Sequence, residues 1–118
     1  MKGQKLNLAN AFKSEIESAL LSKRQGRMDL EWSHLERAHI LGQFHASWHL
    51  QVHVLMIKYS VRYCNLKEFL GQLPRIFLAM PGSITGLAPV GNTGGSDVGI
   101  FQPMEIPEDL RGYLEVQS

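Results

Sequence analysis

The sequence predicts an all-α protein of two helical hairpins, about four helices in a tetratricopeptide-like arrangement, followed by an extended Gly/Pro-rich C-terminal arm. Three observations carry this prediction. Apolar residues recur three or four apart in four segments, the spacing that gathers them on one face of a helix. Glycine, asparagine or aspartate punctuates the segments where helix ends are expected. From Pro81 the helical period gives way to "PGSITGLAPVGNTGGSDVGIFQPMEIPEDL", rich in glycine and proline. The 118 residues read as a single domain, 1–118, with a helical part at 1–80 and the arm at 81–118.

The first helix is expected from about Leu6 to Leu21, where Leu8, Phe12, Ile16, Ala19 and Leu20 share a face. Asn7 or Asn10 suits its start, and Gly26 in "RQGR" supplies the break that ends it. Asp29 is placed at the N-cap of a second helix that runs to about Leu41 and stops at Gly42, with Glu31 in its first turn complementing the helix dipole.

The third segment, His45 to about Tyr63, has one narrow polar stripe (Ser47, Gln51, Lys58, Arg62) and is expected to be largely buried. Asn65 opens a fourth helix with Leu66, Phe69, Leu70, Leu73, Ile76, Phe77 and Met80 as its apolar face, and Pro74 predicts a kink or a break. Helices two and four match at an offset of about 38 residues, Trp32, Leu35, Ala38 and Leu41 falling on Leu70, Leu73, Ile76 and Ala79, a period that suggests helical-hairpin repeats. In the arm, Val98, Ile100, Phe101, Met104 and Ile106 provide apolar side chains for packing. "GNTGGS" lacks the lysine and Ser/Thr of a phosphate loop and reads as a turn-rich connection.

Composition narrows the function. Twelve basic and 11 acidic residues give a net charge of +1, which argues against nucleic acid as a partner. The compact basic cluster "SKRQGR" reads as a solvated helix end. One cysteine, Cys64, excludes an intrachain disulfide and is expected to be a buried thiol. No apolar run reaches bilayer length, so the expected protein is soluble and cytoplasmic with no membrane association.

All five histidines lie between His34 and His53. On the third helix His45, His49 and His53 stand at i, i+4 and i+8, a stripe extended by Met56 and Ser60 and turned away from the polar residues. On the second helix Glu31, His34 and His39 project within or beside the apolar arc, and Glu36 lies near its boundary. A short connection makes the helices antiparallel, with His39 level with His49 and His34 closer to His53. Because His45 and His53 are about 12 Å apart along the axis, one ion cannot take the whole stripe. The predicted ligands are His39, His49 and His53 with Glu36 as carboxylate or outer partner, and His34, His45 and Glu31 are secondary candidates. Zinc or another divalent transition metal suits such donors. "EWSH" and "ERAH" are both Glu-x-x-His, but both lie on one helix, against the arrangement of a di-iron bundle. The same residues could instead form a buried polar network, with Glu31, Glu36, Tyr59 and Tyr63 as partners. Catalysis has less support. Cys64 and His53 are some three turns apart, and Ser60 near His53 has no third group or oxyanion hole, so an enzyme is the less favoured class.

"LERAHILGQ", His49-x-x-x-His53-x-x-Met56, "LGQLPRIFLAMPGS", "GNTG" and "PMEIPEDL" together resemble the bacterial family known as domain of unknown function 3703, from about Ala19 onward. Glu36, Arg37, His39, His49, His53, Met56 and Gly91 to Gly94 fall on its pattern, whereas His34 and His45 do not, and Gly95 stands where a basic residue is more typical. The resemblance implies a small helical bacterial protein and supplies no reaction. Two functions follow as expectations: a histidine-rich metal site serving storage, sensing or chaperoning, or a tetratricopeptide-like module that binds another protein or self-associates, with its histidines organising the core.

Overall fold

The computed structural model describes residues 2–85, 92–96 and 102–114, with side chains from Leu8 to Arg75 and throughout the two later stretches. These residues form five helices in the order α1 (Lys2–Arg24), α2 (Met28–Gly42), α3 (Ala46–Arg62), α4 (Leu66–Thr85) and α5 (Glu108–Leu114). The predicted all-α class holds, and so does its hairpin packing: α1 packs on α2, α3 on α4, and α2 joins the two hairpins through α3. Leu8, Phe12, Ile16 and Ala19 of α1 meet Leu35, Ala38 and Leu41 of α2 and Val52, Met56 and Tyr59 of α3 in one core.

Local chemistry sets the helix ends. Gly26 ends α1 with φ +69°, a left-handed conformation that glycine adopts without a Cβ clash. Arg27, not Asp29, stands at the N-cap of α2, leaving Asp29 and Glu31 inside the first turn where the dipole favours them. Asn65 caps α4 as expected, its Oδ1 accepting the Glu68 N–H at 3.1 Å. Phe12 stacks on Trp48 at 4.8 Å between ring centres, tying α1 to the start of α3.

Four expectations change. Helix α4 is continuous through Pro74 and extends to Thr85, past the predicted end of the helical part. Pro74 lies on the solvent side, where water can serve the carbonyl that its missing N–H leaves free. The exposed face of α4 carries Leu66, Leu70 and Leu73, at 67, 55 and 40 % exposure, while Glu68, Gln72 and Arg75 are buried. At these described positions the predicted face is exposed, whereas Phe69 is half-buried, and Leu73 differs from its α2 counterpart Leu35, which is buried. Cys64 is exposed, in a left-handed turn with φ +55° between α3 and α4. The arm contains α5, unforeseen, which packs on α1 and α2 through Leu110, with Ile106 against the core. Gly91, Val98, Ile100 and Phe101, and the side chains of Ile76, Phe77, Ala79 and Met80, lie outside the described residues. No helix among the described residues is long and apolar enough to cross a membrane.

Candidate metal centre

Helices α2 and α3 bring together three of the predicted ligands, His39, His49 and His53, with all three buried and one ring nitrogen of each within 4.8 Å of the others. His49 and His53 share a face because they are one turn apart on α3. His39 projects between them from α2, its Nε2 lying 3.0 Å from His49 Nε2 and 3.1 Å from His53 Nε2. A tetrahedral ion with Zn–N bonds of about 2.0–2.1 Å separates its donors by about 3.3 Å. Two edges of this triangle are thus close to the spacing that an ion requires.

The other ring nitrogens decide what these contacts are. His39 Nδ1–H donates to the Asn92 carbonyl at 2.6 Å, and a carbonyl can only accept. His53 Nδ1–H donates to Gln72 Oε1 at 2.6 Å. The Gln72 amide is oriented by its Nε2, which donates to Glu68 Oε2 at 2.6 Å and to the Gly94 carbonyl at 2.7 Å. With the proton of each neutral ring at Nδ1, both Nε2 atoms present lone pairs. The 3.1 Å contact between His39 and His53 therefore sets lone pair against lone pair, with no proton to share.

Protonation does not relieve this contact near neutral pH. Burial holds His39 well below its usual 6.5, reinforced by the charges of His53 and His49. Burial likewise pushes His53 down to about 4, although the bond to Gln72 opposes it.

Residues 92–96 close over the histidines and supply this outer layer. Asn92 Oδ1 accepts the Gly94 N–H at 2.8 Å and its Nδ2 donates to the Gln102 carbonyl at 2.7 Å. Glu68 accepts from Ser96 N–H at 3.0 Å and from Ser96 Oγ–H at 3.0 Å. Gly94 has φ +84°, and a Cβ there would lie 2.6 Å from the His39 ring, so both conformation and space require glycine. Orienting a ligand imidazole through its far nitrogen is how protein metal sites fix ring and tautomer.

The remaining candidates fall elsewhere. His34 Nδ1 contacts Glu15 of α1 at 2.8 Å, beside the Arg37–Glu15 ion pair. Five residues separate it from His39, about 140° around the helix, so the two cannot both face α3. Glu31 accepts from Arg62 Nη1 at 2.7 Å and from the Tyr63 hydroxyl at 3.0 Å, at the far end of the α2–α3 seam. Arg62 is exposed, as expected of the polar stripe, while its Nη1 reaches Glu31. His45 precedes α3 with φ −114° and ψ 108°, outside the helical repeat, and packs on Trp48 at 4.2 Å. Its buried Nε2 has no hydrogen-bond partner, and burial lowers its pKa. Glu36 is half-buried on α2 and is not part of the three-histidine group.

Sequence reasoning missed Gln72, Glu68, Asn92, Gly94 and Ser96. They stand in "KEFLGQ" and "GNTGGS", but two of the acceptors, at Asn92 and Gly94, are main-chain carbonyls that any residue carries.

The sequence model of one family, described as a protein of unknown function (DUF3703), matches residues 6–114. No curated protein and no solved structure matches the chain.

Proposed function

We propose, for a chain that belongs to the DUF3703 family, that the seam between α2 and α3 binds one transition-metal ion through His39, His49 and His53. The observation that carries this reading is the facing of the His39 and His53 lone pairs at 3.1 Å, which a cation converts from repulsion into coordination. Zinc or another divalent transition metal fits three imidazole donors, and storage, sensing or chaperoning of the ion is the corresponding role. Glu36, three residues before His39, is an outer carboxylate in this reading rather than a ligand.

Elemental analysis of protein purified without an affinity tag or chelator, followed by stripping and re-binding, tests the site. Near-stoichiometric metal is expected, lost in the His49→Gln/His53→Gln double variant and retained in Glu36→Gln. A protein that is metal-free and refuses reconstitution would overturn the reading in favour of a tetratricopeptide-like interaction module with a structural histidine network.

A further inference from the structure

The hydrogen bonds around the histidines run one way. Ser96 donates its N–H and Oγ–H to Glu68, and Gln72 donates both protons of its Nε2, one to Glu68 Oε2 and one to the Gly94 carbonyl. Turning the Gln72 amide would set its oxygen against a carboxylate and a carbonyl, so Oε1 is fixed toward His53. It accepts the His53 Nδ1–H, as the Asn92 carbonyl accepts that of His39. Water does not compete for these bonds, since Gln72, Asn92, His39 and His53 are 0, 3, 3 and 1 % exposed. The segment 92–96 and helix α4 therefore dictate both tautomers, and with them the facing of the two Nε2 lone pairs at 3.1 Å.

The same accounting gives the alternative that needs no ion. A proton moved from Nδ1 to Nε2 of either ring would turn the 3.1 Å contact into an Nε2–H···Nε2 hydrogen bond. The move leaves a lone pair at Nδ1, 2.6 Å from the Asn92 carbonyl if the ring is His39 and 2.6 Å from Gln72 Oε1 if it is His53. Either choice replaces a buried hydrogen bond by a repulsion, and each weakens a tie to the segment 92–96, directly at Asn92 or through Gln72 at Gly94. A bound ion removes the conflict, because it takes both lone pairs and leaves both outer protons in place. Closure of the segment and occupancy of the site thus favour one another, each strengthening the other by the same factor.

We propose that the ion closes the segment 92–96 over the histidines and that its loss releases the segment, so that the protein signals metal occupancy through its own main chain. This rests on the metal reading above and selects sensing among the roles it allows. The release is local: α5, further along the chain, is held by Leu110 in the core and by the Arg37–Asp109 ion pair, neither of which involves a histidine of the site.

Hydrogen exchange near neutral pH, compared between zinc-loaded and chelator-stripped protein, provides the test. The Ser96 amide is the reporter, because Glu68 accepts its proton in the closed arrangement. Stripping should speed its exchange about tenfold or more, while the Leu110 amide, bonded to the Pro107 carbonyl, changes little. Gln72→Met should still bind zinc but exchange Ser96 rapidly with or without it, since the link from His53 to the segment is cut. The wild-type comparison decides the matter even if that variant does not fold. Equal protection of Ser96 in both states would overturn the coupling while leaving the metal site standing. Equal loosening of α5 would overturn it as well, as a general loss of stability rather than a release. Failure to take up zinc at all would overturn the metal reading itself.

Discussion

The α2–α3 seam carries two polar clusters about 12 Å apart along the helix axis, one around buried Glu31 and one of three buried histidines, and they are built in opposite ways. At one end Glu31 meets Arg62 and Tyr63, so that both carboxylate oxygens accept and the charges are opposite. At the other end His39, His49 and His53 meet as like with like. The first cluster satisfies itself, as a structural network in a helical seam should. The second is ordered by hydrogen bonds on its outer nitrogens while its inner nitrogens converge on a common point. Burial alone does not separate a site from a strut. The donor and acceptor count of each ring does.

The largest effect that sharpens this contrast is a loss of stability in acid, confined to the histidine end. In the metal-free protein His53 takes its proton near pH 4 when folded, against about 6.5 unfolded, so between these values the unfolded chain binds more protons. Stability is therefore full above pH 6.5 and falls as the pH drops toward 4. His53 alone accounts for on the order of 3 kcal/mol, and His39 acts in the same direction. Urea melts of stripped protein at about pH 7 and about pH 4.5 measure it. The difference should persist in Glu31→Gln and shrink in His53→Gln, and equal stability at both pH values would break the comparison.

Next in size is the charge pair. Glu31→Gln keeps the shape and removes the charge. Because Arg62 is 31 % exposed, the expected loss is about 1–2 kcal/mol, less than for a fully buried pair. Metal content should not change, and its disappearance in this variant would join the two clusters into one unit.

The smallest effect comes from the closing loop. Gly94→Ala forces a Cβ toward the His39 ring and strains a positive φ, so zinc affinity should fall about tenfold with helical circular dichroism unchanged. A competition titration against a zinc chelator reads it, and unaltered affinity would remove the loop from the site.

Much of this was legible in the sequence. Helical spacing gave the all-α class and both hairpins, and the stripe on α3 put His49 and His53 together facing His39. The same arc reasoning misplaced His34, because a wide inward arc on α2 faces α1 on one side and α3 on the other, and it ignored height along the seam, which sets Glu31 about 12 Å from His39. On α4 the periodicity did not foresee that Leu66, Leu70 and Leu73 are exposed while Glu68, Gln72 and Arg75 are buried. Glu68 and Gln72 turn inward because His53 and the 92–96 loop give them partners, a long-range fact that local patterning does not contain. Helix α5 has seven residues, too few to display a period.

The loop that closes the site also changes how the chain behaves as a polymer. Contacts at the centre link residues 10, 14, 19 and 53 positions apart, the longest tying His39 to Asn92. The entropy of closing a loop grows only logarithmically, by about 0.6 kcal/mol per doubling of length, so the long tie is hardly more expensive than the short ones. It nonetheless joins the middle of the sequence to its tail. With a single cysteine, this chain has no disulfide of its own. An ion held by the three imidazoles would act as its cross-link, one that opens with acid or chelation and closes again without any covalent chemistry.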